Sequence, residues 1–173
     1  MEYELCIREA EISDAAALVA FLNQVGRETD FTSLDEHGIG MTASEMALFI
    51  EKQAASENQI TLLALLNDEL AGVLNITADL HVRVRHIGDV FLAIQKKFWN
   101  QGLATILLEE GIEWAKASGV LRRLQLSVQK RNEVAIHLYS KMGFIIEGLQ
   151  ERGAYLAEGI FLDVCLMGKL IDE

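Results

Sequence analysis

Apolar positions along this chain recur with two different periods, and each change of period marks a change of element. Residues 3–8 read as a short strand. Ser13 and Asp14 can cap a following helix whose apolar face is Leu18, Phe21, Leu22 and Val25, with Gly26 as its stop. Thr42-Ala43-Ser44-Glu45 is a capping box that opens a helix with Met46, Phe49, Ile50 and Gln53 on one face. Residues 60–66 and 70–77 are predicted strands joined at Asn67-Asp68-Glu69, and a longer strand is predicted over 83–94. The helical period returns over 102–118, with Leu103, Ile106, Leu107, Trp114 and Ala115 towards the core and Gly119 beyond the end. A strand over 121–128, a helix over 133–142 stopped at Gly143, and strands over 144–150 and 160–167 complete the chain. The order β-α-α-β-β-β-α-β-α-β-β is an α+β pattern, with a mixed sheet covered by helices.

Composition changes this picture little. At 173 residues and 51% hydrophobic, the chain reads as a single domain spanning 1–173. No apolar run approaches the roughly 18 residues that cross a membrane, and Met1-Glu2-Tyr3-Glu4 shows no basic leader. The expectation is a cytoplasmic protein with no membrane partner. Cys6 and Cys165 have no metal-ligand spacing, and each is expected as a small buried hydrophobe. The histidines at 37, 81, 86 and 137 form no triad or metal pattern, so no metal is expected. A net charge of −11 argues against nucleic acid, which requires a basic face, and is compatible with a cationic substrate.

The chemistry concentrates between Val90 and Phe144. Gln101-Gly102-Leu103-Ala104-Thr105 stands where a strand gives way to a helix. The first N–H groups of a helix lack internal partners and, with the helix dipole, attract anions. Gly102 lets a phosphate come close, and Lys96 and Lys97 just before it add positive charge. On the residues alone, an ordinary glycine at a helix start is an equal reading. Asn132 suits an N-cap. Tyr139, two helical turns later on a nearby face, is either a core aromatic with its hydroxyl at the rim or a proton donor. Candidate carboxylates for removing a proton from an amine are Glu28, Asp30, Asp89 and Glu147, with water relay as another route. Glu28, Asp30 and Phe31 form a short acidic and aromatic cluster between two capped helices, suited to an amine-binding wall, and Tyr155 and Phe161 are further candidates to line it.

Gly102 and Ala104, followed by a strand and then by Asn132-Glu133-Val134-Ala135-Ile136-His137-Leu138-Tyr139-Ser140-Lys141-Met142-Gly143-Phe144, resemble the GCN5-related N-acetyltransferase superfamily. Trp99 stands where that family usually has Gln or Arg, so the pyrophosphate would rest on the backbone donors of residues 101–105. The resemblance implies an acyl-CoA N-acyltransferase-like fold with acetyl-CoA as donor. It implies that Leu92, Ala93 and Ile94 pair with the pantetheine arm across a gap between two strands, and that Asn132 lies near that arm. It also implies that Tyr139 protonates the departing thiolate. Among the candidate carboxylates, Asp89 is the one that alternation along its strand could turn to the cleft. The function implied is transfer of an acetyl group to a primary amine by direct attack in a ternary complex. The acceptor is a small-molecule or peptide amine, and a homodimer stays open. A non-catalytic acyl-CoA-binding module is the alternative. It would keep the phosphate turn without needing Tyr139 or a base.

Overall fold

A computed structural model describes residues 2–172, so Met1, which opens the leader reading, lies outside the described residues. The strands are β1 (Leu5–Glu9), β2 (Ile60–Leu66), β3 (Glu69–Ala78), β4 (Ile87–Ile94), β5 (Arg123–Gln129), β6 (Ile145–Ala157) and β7 (Ile160–Leu170). The helices are α1 (Ala15–Glu28), α2 (Ala43–Ala54), α3 (Leu103–Ala117) and α4 (Glu133–Lys141). The strands form one sheet in the order β1-β2-β3-β4-β5-β7-β6. Every neighbouring pair is antiparallel except β4 and β5, which run parallel and are linked through α3.

Alternation along the strands divides the core in two. Leu62, Ala64, Leu74, Ile76, Leu124, Leu126 and Val128 pack with Leu107, Leu108, Ile112 and Ala115 of α3 and with Tyr139 of α4. Leu63, Val73 and Ala93 face the other way, onto Leu18, Phe21, Leu22 and Val25 of α1 and Met46 and Ile50 of α2. The capping box predicted at Thr42 and Glu45 forms in both directions. Gln53, predicted on the apolar face of α2, is buried because its Oε1 accepts from the Thr61 hydroxyl.

Several boundaries differ from the sequence reading. β1 begins at Leu5, and helix α1 runs past Gly26 to Glu28. Gly26 is a point of close approach rather than a stop, because a Cβ there would collide with the Asp35 carbonyl. Residues 83–86, predicted as strand, lie in a turn. Val84 and Arg85 N–H both donate to the His81 carbonyl, and Val82 is 81% exposed. Local side-chain bonds decide this: Asp79 Oδ1 accepts from His81 N–H, and buried Asn58 donates to the carbonyls of Asp79 and Arg85. β6 continues to Ala157, through irregular register with β7, instead of ending near Gln150. Cys165 is buried as expected, but Cys6 is exposed, because β1 is an edge strand with one face open.

Candidate active site

β4 and β5 pair only from Ile87 to Asp89, opposite Arg123 to Gln125. Beyond Asp89, β4 keeps its ladder with β3 through Ile94, while β5 keeps its ladder with β7 through Gln129. The two strands therefore diverge, leaving the edge of Val90, Phe91, Leu92, Ala93 and Ile94 without a partner on the β5 side. Unpaired backbone N–H and C=O groups along such a gap suit a ligand rich in amides.

The open end of the gap leads to the start of α3. A short 3-10 turn over Lys96–Phe98 is followed by Asn100 and Gly102, both left-handed, with φ of 63° and 80°. The first α3 bond is from Ile106 N–H to Gly102 C=O. The N–H groups of Leu103, Ala104 and Thr105 therefore have no helical acceptor, and no side chain caps them. A Cβ on Gly102 would meet nothing within 4 Å, so glycine here answers the left-handed backbone and leaves open space before the helix. Trp99, the departure from the family pattern, turns its indole N–H back onto the Ile94 carbonyl at 2.8 Å and locks the end of β4. Lys97 pairs with Glu69, and Lys96 Nζ lies 5.9 Å from the centre of the Trp99 ring.

The loop after α1 clasps both diverging strands. Glu28 Oε2 accepts from the Lys96 backbone N–H at 2.9 Å, just past β4, while its other oxygen accepts from Gln24. The Asp30 carbonyl accepts from Gln129 Nε2 at 2.7 Å, at the end of β5, and Asp30 Oδ1 accepts from Arg131 Nη2 at 2.6 Å. The Arg131 guanidinium lies over the Phe31 ring at 4.8 Å. Glu28, Asp30 and Phe31 thus come together at the mouth of the gap, with both carboxylates held by the scaffold.

Tyr139 sits in the buried cluster that also takes in Leu126 and Val128 of β5 and Val90 and Leu92 of β4, beneath both walls of the gap. It packs edge-on against Phe144 and is 8% exposed, and burial pushes its phenol up to about 12. Asn132 caps α4, its Oδ1 accepting from Ala135 N–H at 3.3 Å, and so fixes where the Tyr139 helix begins.

On the α1/α2 face, at the closed end of the gap, lies a cavity of about 410 Å³ lined by Asp89, Arg123, Gln125, Ser127, Glu147 and Leu166, among others. A polar chain crosses its floor. Gln125 Nε2 donates to Asp89 Oδ1 at 2.8 Å, Arg123 Nε donates to Gln125 Oε1 at 3.1 Å, and the Arg123 fork holds both oxygens of Glu147. The Arg123 bond holds the Glu147 carboxyl below the usual carboxylate range. Gly168 makes room beneath this pair, since a Cβ there would strike both side chains. Asp89 and Glu147 were legible as candidates. Arg123, Gln125 and Ser127 were missed, although their signal was present: β5 alternates polar residues with Leu124, Leu126 and Val128 inside a central strand, so one face of that strand does not join the core. Tyr155 and Phe161 pack edge-on against each other further along the β6–β7 hairpin and do not line the cavity. Among the described residues no His, Cys, Asp and Glu cluster could hold a metal, and no helix is long and apolar enough to cross a membrane.

The profile of the family described as "Acetyltransferase (GNAT) family" matches residues 29–144. An acetyltransferase of that family from Streptococcus pneumoniae is similar throughout: 66% identical, TM-score 0.95, covering 98% of this chain and 100% of its own. An L-amino acid N-acetyltransferase of Escherichia coli (strain K12) is 30% identical over 109 residues, 63% of this chain and 67% of the relative. A spermidine N(1)-acetyltransferase of the same strain is 28% identical over 104 residues, 60% of this chain and 55% of the relative.

Proposed function

Because the chain belongs to the acetyltransferase (GNAT) family and is an N-acetyltransferase, we propose that it moves the acetyl group of acetyl-CoA to a primary amine by direct attack in a ternary complex. The observation that carries this reading is the divergence of β4 from β5 beyond Asp89, with uncapped helical N–H groups at its open end and a polar cavity at its closed end. The pantetheine amides would continue the ladder along Leu92, Ala93 and Ile94, and the pyrophosphate would take the donors between Gln101 and Thr105. The thioester would then lie near Asp89 and Tyr139, between the acceptor cavity and the buried cluster.

Each residue has one task in this scheme. Asp89 accepts a proton from the acceptor ammonium, which has no lone pair until it loses one. The amine attacks the thioester carbonyl, and a backbone N–H of the unpaired β4 edge stabilises the oxyanion. Collapse breaks the carbon–sulfur bond, and the proton shed by the amide nitrogen balances the thiolate. Tyr139, near 12, stays protonated at neutral pH. It is a weaker acid than a thiol of about 8.5, so its aid to the departing sulfur is a hydrogen bond to the developing thiolate rather than a downhill transfer. The segment of Glu28, Asp30 and Phe31 forms the outer acceptor wall, its carboxylates acting through the clasp and Phe31 through its surface.

The names of the E. coli relatives put a carboxylate beside the amine in one acceptor and not in the other, so the acceptor class has to be read from the cavity. The test of the transfer reading is thiol release from acetyl-CoA across a panel of primary amines, alongside CoA affinity. Tight binding with no transfer to any amine would favour a binding module instead.

A further inference from the structure

The acceptor cavity contains its own counter-ion pair, and this bears on which amines it accepts. Arg123 is the cation that lines it among the described residues, and its fork is closed: Nη1 and Nη2 hold Glu147, and Nε holds the Gln125 carbonyl. The pair is seated over Gly168, where even a methyl group would strike both partners. Asp89 is different. Its Oδ1 takes the Gln125 amide, and its Oδ2 makes no hydrogen bond within the protein. The floor therefore carries two carboxylates, Asp89 and Glu147, against one cation, Arg123.

We propose that this cavity selects primary amines with no carboxylate beside the amine, because Glu147 already neutralises Arg123, the cation that a substrate carboxylate would need. This rests on the transfer reading above. An ammonium entering next to Asp89 Oδ2 meets an unpaired acceptor and the Ser127 hydroxyl on the same strand face. The carboxylate of an α-amino acid, held about two bonds from its ammonium, would be carried into the same space. There it would face Asp89 and Glu147, with the charge of Arg123 already neutralised by Glu147. It could take the Nη1–Nη2 fork as a bidentate partner only by displacing Glu147, against a charge-assisted bond. An amide, an alcohol or a second amine at that position brings no such repulsion. Glu147 is thus a specificity-determining residue that acts through Arg123, and Gln125 is the positioning residue that joins the Arg123 pair to Asp89.

The test uses matched acceptors: L-leucine, L-leucinamide, L-leucinol, whose amine keeps a basicity nearer that of the amino acid, and 1,4-diaminobutane. Each is assayed for thiol release from acetyl-CoA with wild type and with Glu147→Gln, and CoA affinity is measured in parallel. The expected result is kcat/KM for L-leucinol and L-leucinamide at least tenfold above that for L-leucine. In Glu147→Gln, which removes the charge that neutralises Arg123, the ratio should fall at least fivefold, mainly through a lower KM for L-leucine. Glu147→Ala should move it the same way. L-leucine equal to or better than L-leucinol in wild type overturns the inference and leaves acetyl transfer standing. So does a ratio that ignores both substitutions, since selection would then not run through Arg123. No transfer to any of the four, with CoA still bound, sinks the transfer reading and the inference together.

Discussion

In the proposed transfer two residues carry the chemistry at the centre of the gap, and each can be tested singly. Tyr139→Phe keeps the ring edge-on to Phe144 and removes the hydroxyl. A positioned hydrogen-bond donor to developing charge contributes roughly 10²- to 10³-fold in rate, so turnover should fall by that order while CoA affinity stays within about twofold; single-turnover kinetics with titration calorimetry check both. The same variant has a pH signature. A phenol raised from 10.0 to about 12 by burial stabilises the folded protein fully below pH 10, and that contribution is lost as pH rises through the folded value. That difference between the unfolded and the folded phenol corresponds to about 3 kcal/mol. Denaturant midpoints from pH 9 to pH 12 should therefore fall more steeply in wild type than in Tyr139→Phe. Asp89→Asn should cut transfer by about 10²-fold or more if Asp89 is the base, again sparing CoA; wild-type rates in this variant would move proton removal to water.

At the scale of elements, the loop after α1 works as a clasp. Its grip is on the backbone beyond β4 through Glu28 and on Gln129 and Arg131 beyond β5 through Asp30. Asp30→Asn weakens the Arg131 bond and loosens the wall that carries Phe31. The acceptor KM should rise several-fold while acetyl-CoA affinity moves less than twofold, as measured by varying each substrate in turn. A loss confined to acetyl-CoA would assign the loop to the cofactor's side. The sequence made this loop visible as an acidic and aromatic cluster between two capped helices. It did not make the partners visible, because Gln129 and Arg131 lie about a hundred residues away and meet the loop only after the sheet has formed. The 83–86 turn went unread for a similar reason: the alternating pattern there is that of a strand, and the bond that overrules it comes from buried Asn58, on a separate element.

For the molecule as a whole, ligand binding should be coupled to stability. If the gap and the α3 start bind acetyl-CoA, ligand at 100-fold over its Kd adds about 2.7 kcal/mol. For a chain of this length that is roughly 5–10 °C in Tm. A thermal melt with and without CoA checks it, and an unchanged Tm at millimolar CoA would remove the basis of the cofactor site. Gly102→Asp should abolish the shift, since it strains a backbone at φ 80° and places a negative charge before the helix.

The element order, the α+β class, the left-handed Gly102 turn before α3 and the Asn132-to-Phe144 run are all local patterns, and local patterns survive in a sequence because periodicity, caps and left-handed glycines act within a few residues of one another. The predicted face of α1 and the capping box of α2 are the faces and bonds the fold uses. The tertiary structure alone decided where β4 leaves β5, because β5 pairs fully with β7 while β4 pairs fully with β3, and no residue on either strand announces that competition. It alone brought Asp89, Gln125, Arg123 and Glu147 into one polar chain, since the four come from three strands whose adjacency depends on the crossover through α3 and the return of β7 between β5 and β6. The polarity of one face of β5 was written in the sequence, but its meaning as a cavity floor depended on knowing that no helix covers it.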